Sequence, residues 1–177
     1  MYSKVKLAGH PIHPMLIAFP VAFYTASVIA LAVFSLRGDA FWFRVGAVAA
    51  TAGVIGAVLA AIPGFIDWAM GIPRGTPAKA TGLAHMLCNV GALACFAAVS
   101  IASLRQFDSA SPSLGPALAL GAIGLVLTIV AGFLGWKLVQ KHHVGVDLTK
   151  EQERLEPRPT GTPTEVEQPM GGSVIRH

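Results

Sequence analysis

Five of this chain's six histidines stand beside or inside long apolar runs, where an imidazole is costly to keep. His10 and His13 lie three residues apart in "GHPIHP", each followed by proline, at the entrance to the first run. His85 interrupts another run, in "GLAHMLCN", and His142 and His143 follow the last one. If the runs alternate in direction, all five fall at one membrane face, together with Asp67 of "PGFIDW". Imidazoles and a carboxylate suit zinc, iron or copper, so His10, His13, Asp67 and His85 form a candidate metal set. Imidazoles on different helices also serve as axial ligands of b-type haem, and here His10 or His13 would oppose His85. The opposite face carries no histidine, so at most one haem fits.

Each of these residues also has a simpler role open to it. His13 before Pro14 can cap a helix whose first position is proline. Asp67 can pair with Arg74, Lys79 or the Trp68 backbone, and His142 and His143 suit the C-terminal end of a helix. His85 is the hardest to explain in this way, because it lies within a span and needs a partner such as Asp67 or a backbone carbonyl.

The elements that must position these groups are membrane helices. Charged residues make up 12% of the chain, about half the share usual in soluble domains, and mean hydropathy is +0.63. Four runs, at 15–36, 45–66, 80–104 and 114–136, each exceed the roughly 20 residues a helix needs to cross about 30 Å of hydrocarbon. Backbone groups in lipid must bond internally, which selects helices over open strands. The first run is longer than a signal peptide's apolar region and is read as an uncleaved span. The fold class expected is all-α: an integral membrane antiparallel four-helix bundle over 1–144, then a disordered tail over 145–177, rich in Pro, Thr, Glu and Gly. A short helix is expected within that tail, at Thr149–Leu155. Small residues recur at spacings of three or four in the second and fourth runs, as close helix packing requires. No internal repeat of clear register is evident beyond the loose pattern of span, hairpin, span, twice over.

Short connections put both termini on one side, with Lys4, Lys6, Arg74, Lys79, Lys137 and Lys141; the other side has Arg37, Arg44 and Arg105. Six basic residues against three predict cytoplasmic termini in a bacterial inner membrane. The net charge of +4 is read as a topology signal, not as a nucleic-acid surface. Cys88 and Cys95, seven helical residues apart, are too distant for a disulfide and serve as packing residues. No catalytic triad, phosphate loop or pair of carboxylates appears, so the chain is not expected to be an enzyme by itself.

The segments "GHPIHPMLIAFPVAF", "IPGFIDW", "GLAHMLCNVGAL" and "HHVGVDL" resemble a bacterial membrane family catalogued as domain of unknown function 2231. The resemblance runs from about residue 4 to 148. It implies four spans and draws attention to His10, His13, Asp67 and His85, but supplies no activity. Some relatives continue, after a "GVGVD"-like stretch, into a Rieske iron–sulfur domain, which implies a redox setting. This chain departs there, since its tail has no cysteine–histidine pair. The expectation is a His/Asp site binding haem b or a transition metal ion for electron transfer, with a redox protein as partner and the lipid bilayer as solvent. The rival expectation is a membrane scaffold or subunit whose polar cluster ties helix ends together. A transporter or proton relay fits less well, because the centres of the spans lack ionisable residues.

Overall fold

The computed structural model describes residues 3–146 and 149–155. Met1–Val146 form one compact unit and Asp147–His177 a second, of which the described part is a helix at Lys150–Leu155, here α6. The rest of the expected tail, 156–177, lies outside the described residues.

The chain enters through a small antiparallel hairpin, β1 (Lys6–Leu7) with β2 (His10–Pro11). Gly9 turns it at φ 82°, a left-handed conformation that costs glycine little. Sequence periodicity could not show this hairpin, because two-residue strands have no period to read. The first span follows as α1 (Ile12–Leu16) and α2 (Ala18–Arg37). His13 is not its cap: Pro11 holds that position, in extended conformation.

α3 (Ala40–Ile66) begins after two residues. Gly38 closes α2 at φ 70°, and the Asp39 side chain accepts from Phe41 N–H at 2.9 Å to start the next helix. The expected connection at 37–44 is therefore much tighter. Pro63 lacks the N–H that would bond Leu59's carbonyl, and soon after it the backbone widens into a π turn at Asp67–Gly71. The Lys79 ammonium caps that turn, donating to the carbonyls of Trp68, Ala69 and Ile72, and lies 4.1 Å from the Trp68 ring centroid. Thr76 caps α4 (Pro77–Leu104), with proline at the first turn, and α5 (Ala117–Gln140) completes the bundle.

These four helical segments are long and apolar enough to cross a membrane, and most of their large apolar side chains face outward. The interior is built of small residues and a few aromatics. Tyr24 and Phe96 stack at its centre, ring centroids 3.7 Å apart and planes 3° from parallel. Ser27 donates to the Gly46 carbonyl at 2.9 Å, and Thr51 and Ser100 hydroxyls meet at 2.7 Å, tying helices where lipid gives no hydrophobic drive.

The loose repeat has a definite register once the packing is seen. His85 and Phe96 follow His13 and Tyr24 by 72 residues; Gly124, Ala131 and Gly135 follow Gly53, Ala60 and Gly64 by 71. Pro20, Tyr24, Ser27 and Leu31 are buried, as are their counterparts Ala92, Phe96, Val99 and Ser103. A Cβ added to Gly53 would meet the Tyr24 ring at 2.5 Å, and one added to Gly124 would meet the Phe96 ring at 2.8 Å. Two hairpins, α1–α3 and α4–α5, thus repeat one pattern of packing, in the parallel arrangement known from transporter halves. The Tyr24–Phe96 stack joins equivalent positions of the two.

Candidate functional site

His13 and His85 occupy equivalent seats in the two hairpins. His13 Nδ1 lies 2.8 Å from the Ala60 carbonyl, and His85 Nδ1 lies 2.8 Å from the Ala131 carbonyl. A carbonyl can only accept, so each Nδ1 carries a proton, and in the neutral ring Nε2 keeps its lone pair. Each ring lies against a glycine four residues beyond its carbonyl. A Cβ on Gly64 would stand 2.7 Å from His13 Nδ1, and one on Gly135 would stand 3.1 Å from His85 Cε1. The sequence Ala-x-x-x-Gly thus supplies an acceptor and a space together.

The two imidazoles meet, with centroids 6.3 Å apart and planes at 89°. They lie eleven residues, or about 16 Å of helix, from the Tyr24–Phe96 stack. One turn beyond the histidine, the two repeats differ in polarity. Asn89, one turn beyond His85, donates through Nδ2 to His85 Nε2 at 3.2 Å and to the His85 carbonyl at 2.9 Å. Its counterpart beyond His13 is Ile17, which has no polar atom to offer.

The other candidates lie elsewhere in the bonding scheme. His10 is exposed, its Nδ1 3.0 Å from the Ala8 carbonyl. Asp67 bonds neither Lys79 nor Arg74. Its carboxylate accepts from Ser3 Oγ at 2.8 Å, Lys4 N–H at 2.6 Å and Val5 N–H at 3.2 Å, which pins the N-terminal strap to the end of α3. Among the described residues no three of His, Cys, Asp and Glu gather closely enough to hold a metal ion. The three-imidazole, one-carboxylate set is therefore not assembled. His142 is partly buried near α4, its Nε2 3.5 Å from Thr81 Oγ1. Burial first, and then the charges of Lys137 and Lys141, hold its pKa below the usual histidine value.

Residues that sequence reasoning passed over are Ala60, Gly64, Ala131, Gly135 and Asn89. The paired Ala-x-x-x-Gly could have been noticed, but in helices so rich in Ala and Gly it has no contrast. Asn89, an amide within an apolar run and one helical turn from His85, was visible.

A polytopic all-α membrane protein with a histidine pair near one end of its bundle is the class that fold and site define. The family described as predicted membrane protein, domain of unknown function 2231, matches residues 9–148, and the chain belongs to it. No curated protein and no solved structure matches the chain.

Proposed function

We propose that this chain binds one b-type haem between His13 and His85, at the cytoplasmic face of a bacterial inner membrane, and exchanges electrons with a redox partner protein. The observation that carries the reading is the geometry of the pair. Two imidazoles bound on opposite sides of one iron hold their centroids about 6 Å apart, from about 2 Å per metal–nitrogen bond plus the ring radius. The pair stands at 6.3 Å with crossed planes. Both Nδ1–H groups are engaged by carbonyls, as is usual for a metal-bound histidine, and this fixes the tautomer and raises the basicity of Nε2.

The donor set also favours haem over a lone ion. Two imidazoles leave a free zinc or iron ion short of ligands, whereas a porphyrin brings four nitrogens of its own. When bound, haem supplies reversible one-electron chemistry at its iron. The chain's part is to hold both nitrogens in register from two rigid hairpins and to keep the site at the membrane boundary.

A second reading rests on Asn89. Its amide already donates to His85 Nε2, so both ring nitrogens of His85 can be satisfied within the chain, as in a purely structural tie. An absorption spectrum after titration with haemin separates the two. The haem reading expects one haem per chain with a low-spin spectrum, lost in His13→Ala and in His85→Ala and kept in His10→Ala and Asp67→Asn. A wild-type protein that takes up no stoichiometric haem, while both histidine variants lose thermal stability, would establish the structural tie instead.

A further inference from the structure

Asn89 is a polar residue where the first hairpin has Ile17, and its bonding is one-sided. Both of its hydrogen bonds run through Nδ2, to His85 Nε2 and to the His85 carbonyl. Among the described residues nothing donates to Oδ1. The residue is exposed near the middle of α4, a helix of 28 residues apolar enough to cross a membrane, which puts it among lipid tails and not headgroups. An amide oxygen left bare at that depth lacks the water that would satisfy it at a surface.

We propose that this oxygen is the recognition point for a lipid-soluble quinol, which enters from the bilayer beside α4 and donates a ring hydroxyl to Asn89 Oδ1. The complementarity selects an apolar ligand that brings a hydrogen-bond donor. The site offers an acceptor and no free donor, so its ligand must bring an O–H or N–H. The depth requires that the remainder of the ligand be apolar, and phospholipid ester groups, which have no donor, do not qualify. A second copy of the chain fits poorly, because its own Asn89 donors are already engaged at its own His85. A quinol satisfies all of these conditions in the haem-free chain, where His85 Nε2 holds the Asn89 amide, and its binding does not rest on the haem reading.

The reasoning distinguishes the two redox forms of one ligand. A quinol carries the hydroxyl that Oδ1 lacks, and the corresponding quinone carries only acceptors. Binding of short-chain ubiquinol, kept reduced under anaerobic conditions, and of the matching ubiquinone is measured on the full chain in nanodiscs, with haem content and oligomeric state recorded for each sample. The quinol is expected to bind about tenfold more tightly than the quinone, the worth of one hydrogen bond in an apolar site. Asn89→Leu should remove that preference while leaving the protein folded, and Asn89→Gln should restore part of it. Equal binding of both forms, no binding of either, or a preference that survives Asn89→Leu would overturn the proposal. So would a wild-type dimer that Asn89→Leu converts to monomer, since the face would then belong to a second copy. Haem content read in the same samples keeps a failure of quinol binding separate from a failure of the haem reading.

Discussion

A methyl group added at three glycines, one at a time, tests whether the histidine seats are built as described. At Gly64 the new carbon would stand 2.7 Å from His13 Nδ1 and 2.8 Å from Cε1, closer than any real contact, so the ring must leave. Its hydrogen bond to Ala60 goes with it. Overpacking of this kind costs about 1–3 kcal/mol and the lost hydrogen bond about 1 kcal/mol. Alanine's better helix propensity returns about 0.5–1 kcal/mol. Gly64→Ala should therefore lose about 1–3 kcal/mol. At Gly135 the nearest atom is His85 Cε1 at 3.1 Å, a contact that a shift of a few tenths of an ångström relieves, so Gly135→Ala should lose about 1 kcal/mol or less. At Gly132, three residues away on the same helix, an added Cβ meets nothing within 4 Å, and propensity alone should make Gly132→Ala neutral or slightly stabilising. Reversible unfolding in mixed micelles, followed by circular dichroism, reads all three. A Gly64→Ala protein as stable as Gly132→Ala would refute the seat, because propensity treats the two alike and a ring lies against Gly64 and not against Gly132.

Asp67→Ala should free the N-terminal strap, since it removes the acceptor of the Lys4 and Val5 N–H groups and of the Ser3 hydroxyl. Trypsin cleavage after Lys4 or Lys6 should accelerate, with the four spans intact. Acidification should act through His142, whose folded pKa is depressed. The folded state then binds fewer protons than the unfolded, so the stability in question is present above about pH 6.5 and declines as pH falls through the lowered value. His142→Gln should flatten that small decline in unfolding curves taken between pH 7 and 5. Reporter fusions at the C-terminus and in the connection after Arg105 should give cytoplasmic and periplasmic signals respectively; the reverse would overturn the proposed orientation and leave the histidine pair untouched.

The four spans were legible because the membrane imposes one requirement on every residue of a span, and a run of apolar residues satisfies it independently of its neighbours. His85 was legible for the same reason, as a departure from that requirement. The partner of His85 was not. A carbonyl acceptor looks the same at every position of a sequence, so nothing in "VAGFLGW" marks Ala131 as the one that His85 reaches. Asp67 stood out by charge, but its partners are two backbone N–H groups and a serine hydroxyl in a segment with no periodicity. The ends of the helices moved by one to five residues where Gly38, Asp39, Thr76 and Pro77 set them by local capping, which hydropathy does not register.

The repeat went unread because few of its matched positions are identical, and the matches between small residues are diluted by the Ala and Gly around them. Its packing nevertheless explains why a histidine pair exists at all. Each hairpin by itself presents one imidazole, locked by an alanine carbonyl over a glycine, with its Nε2 lone pair unused by that seat. Association of two such hairpins brings the two imidazoles to 6.3 Å, centroid to centroid. A duplicated hairpin therefore supplies, with no further change, the two imidazoles that the proposed haem would need. The departure at Asn89 in place of Ile17 then gives one side of that site a chemistry the other side lacks. On this account, Asn89→Ile makes the two sides alike. It should leave haem binding at one per chain, with the spectrum altered only as far as His85 Nε2 is released from the Asn89 amide. If Asn89→Ile instead abolished haem uptake, the two seats would not be equivalent donors, and the site would depend on the departure more than on the repeat.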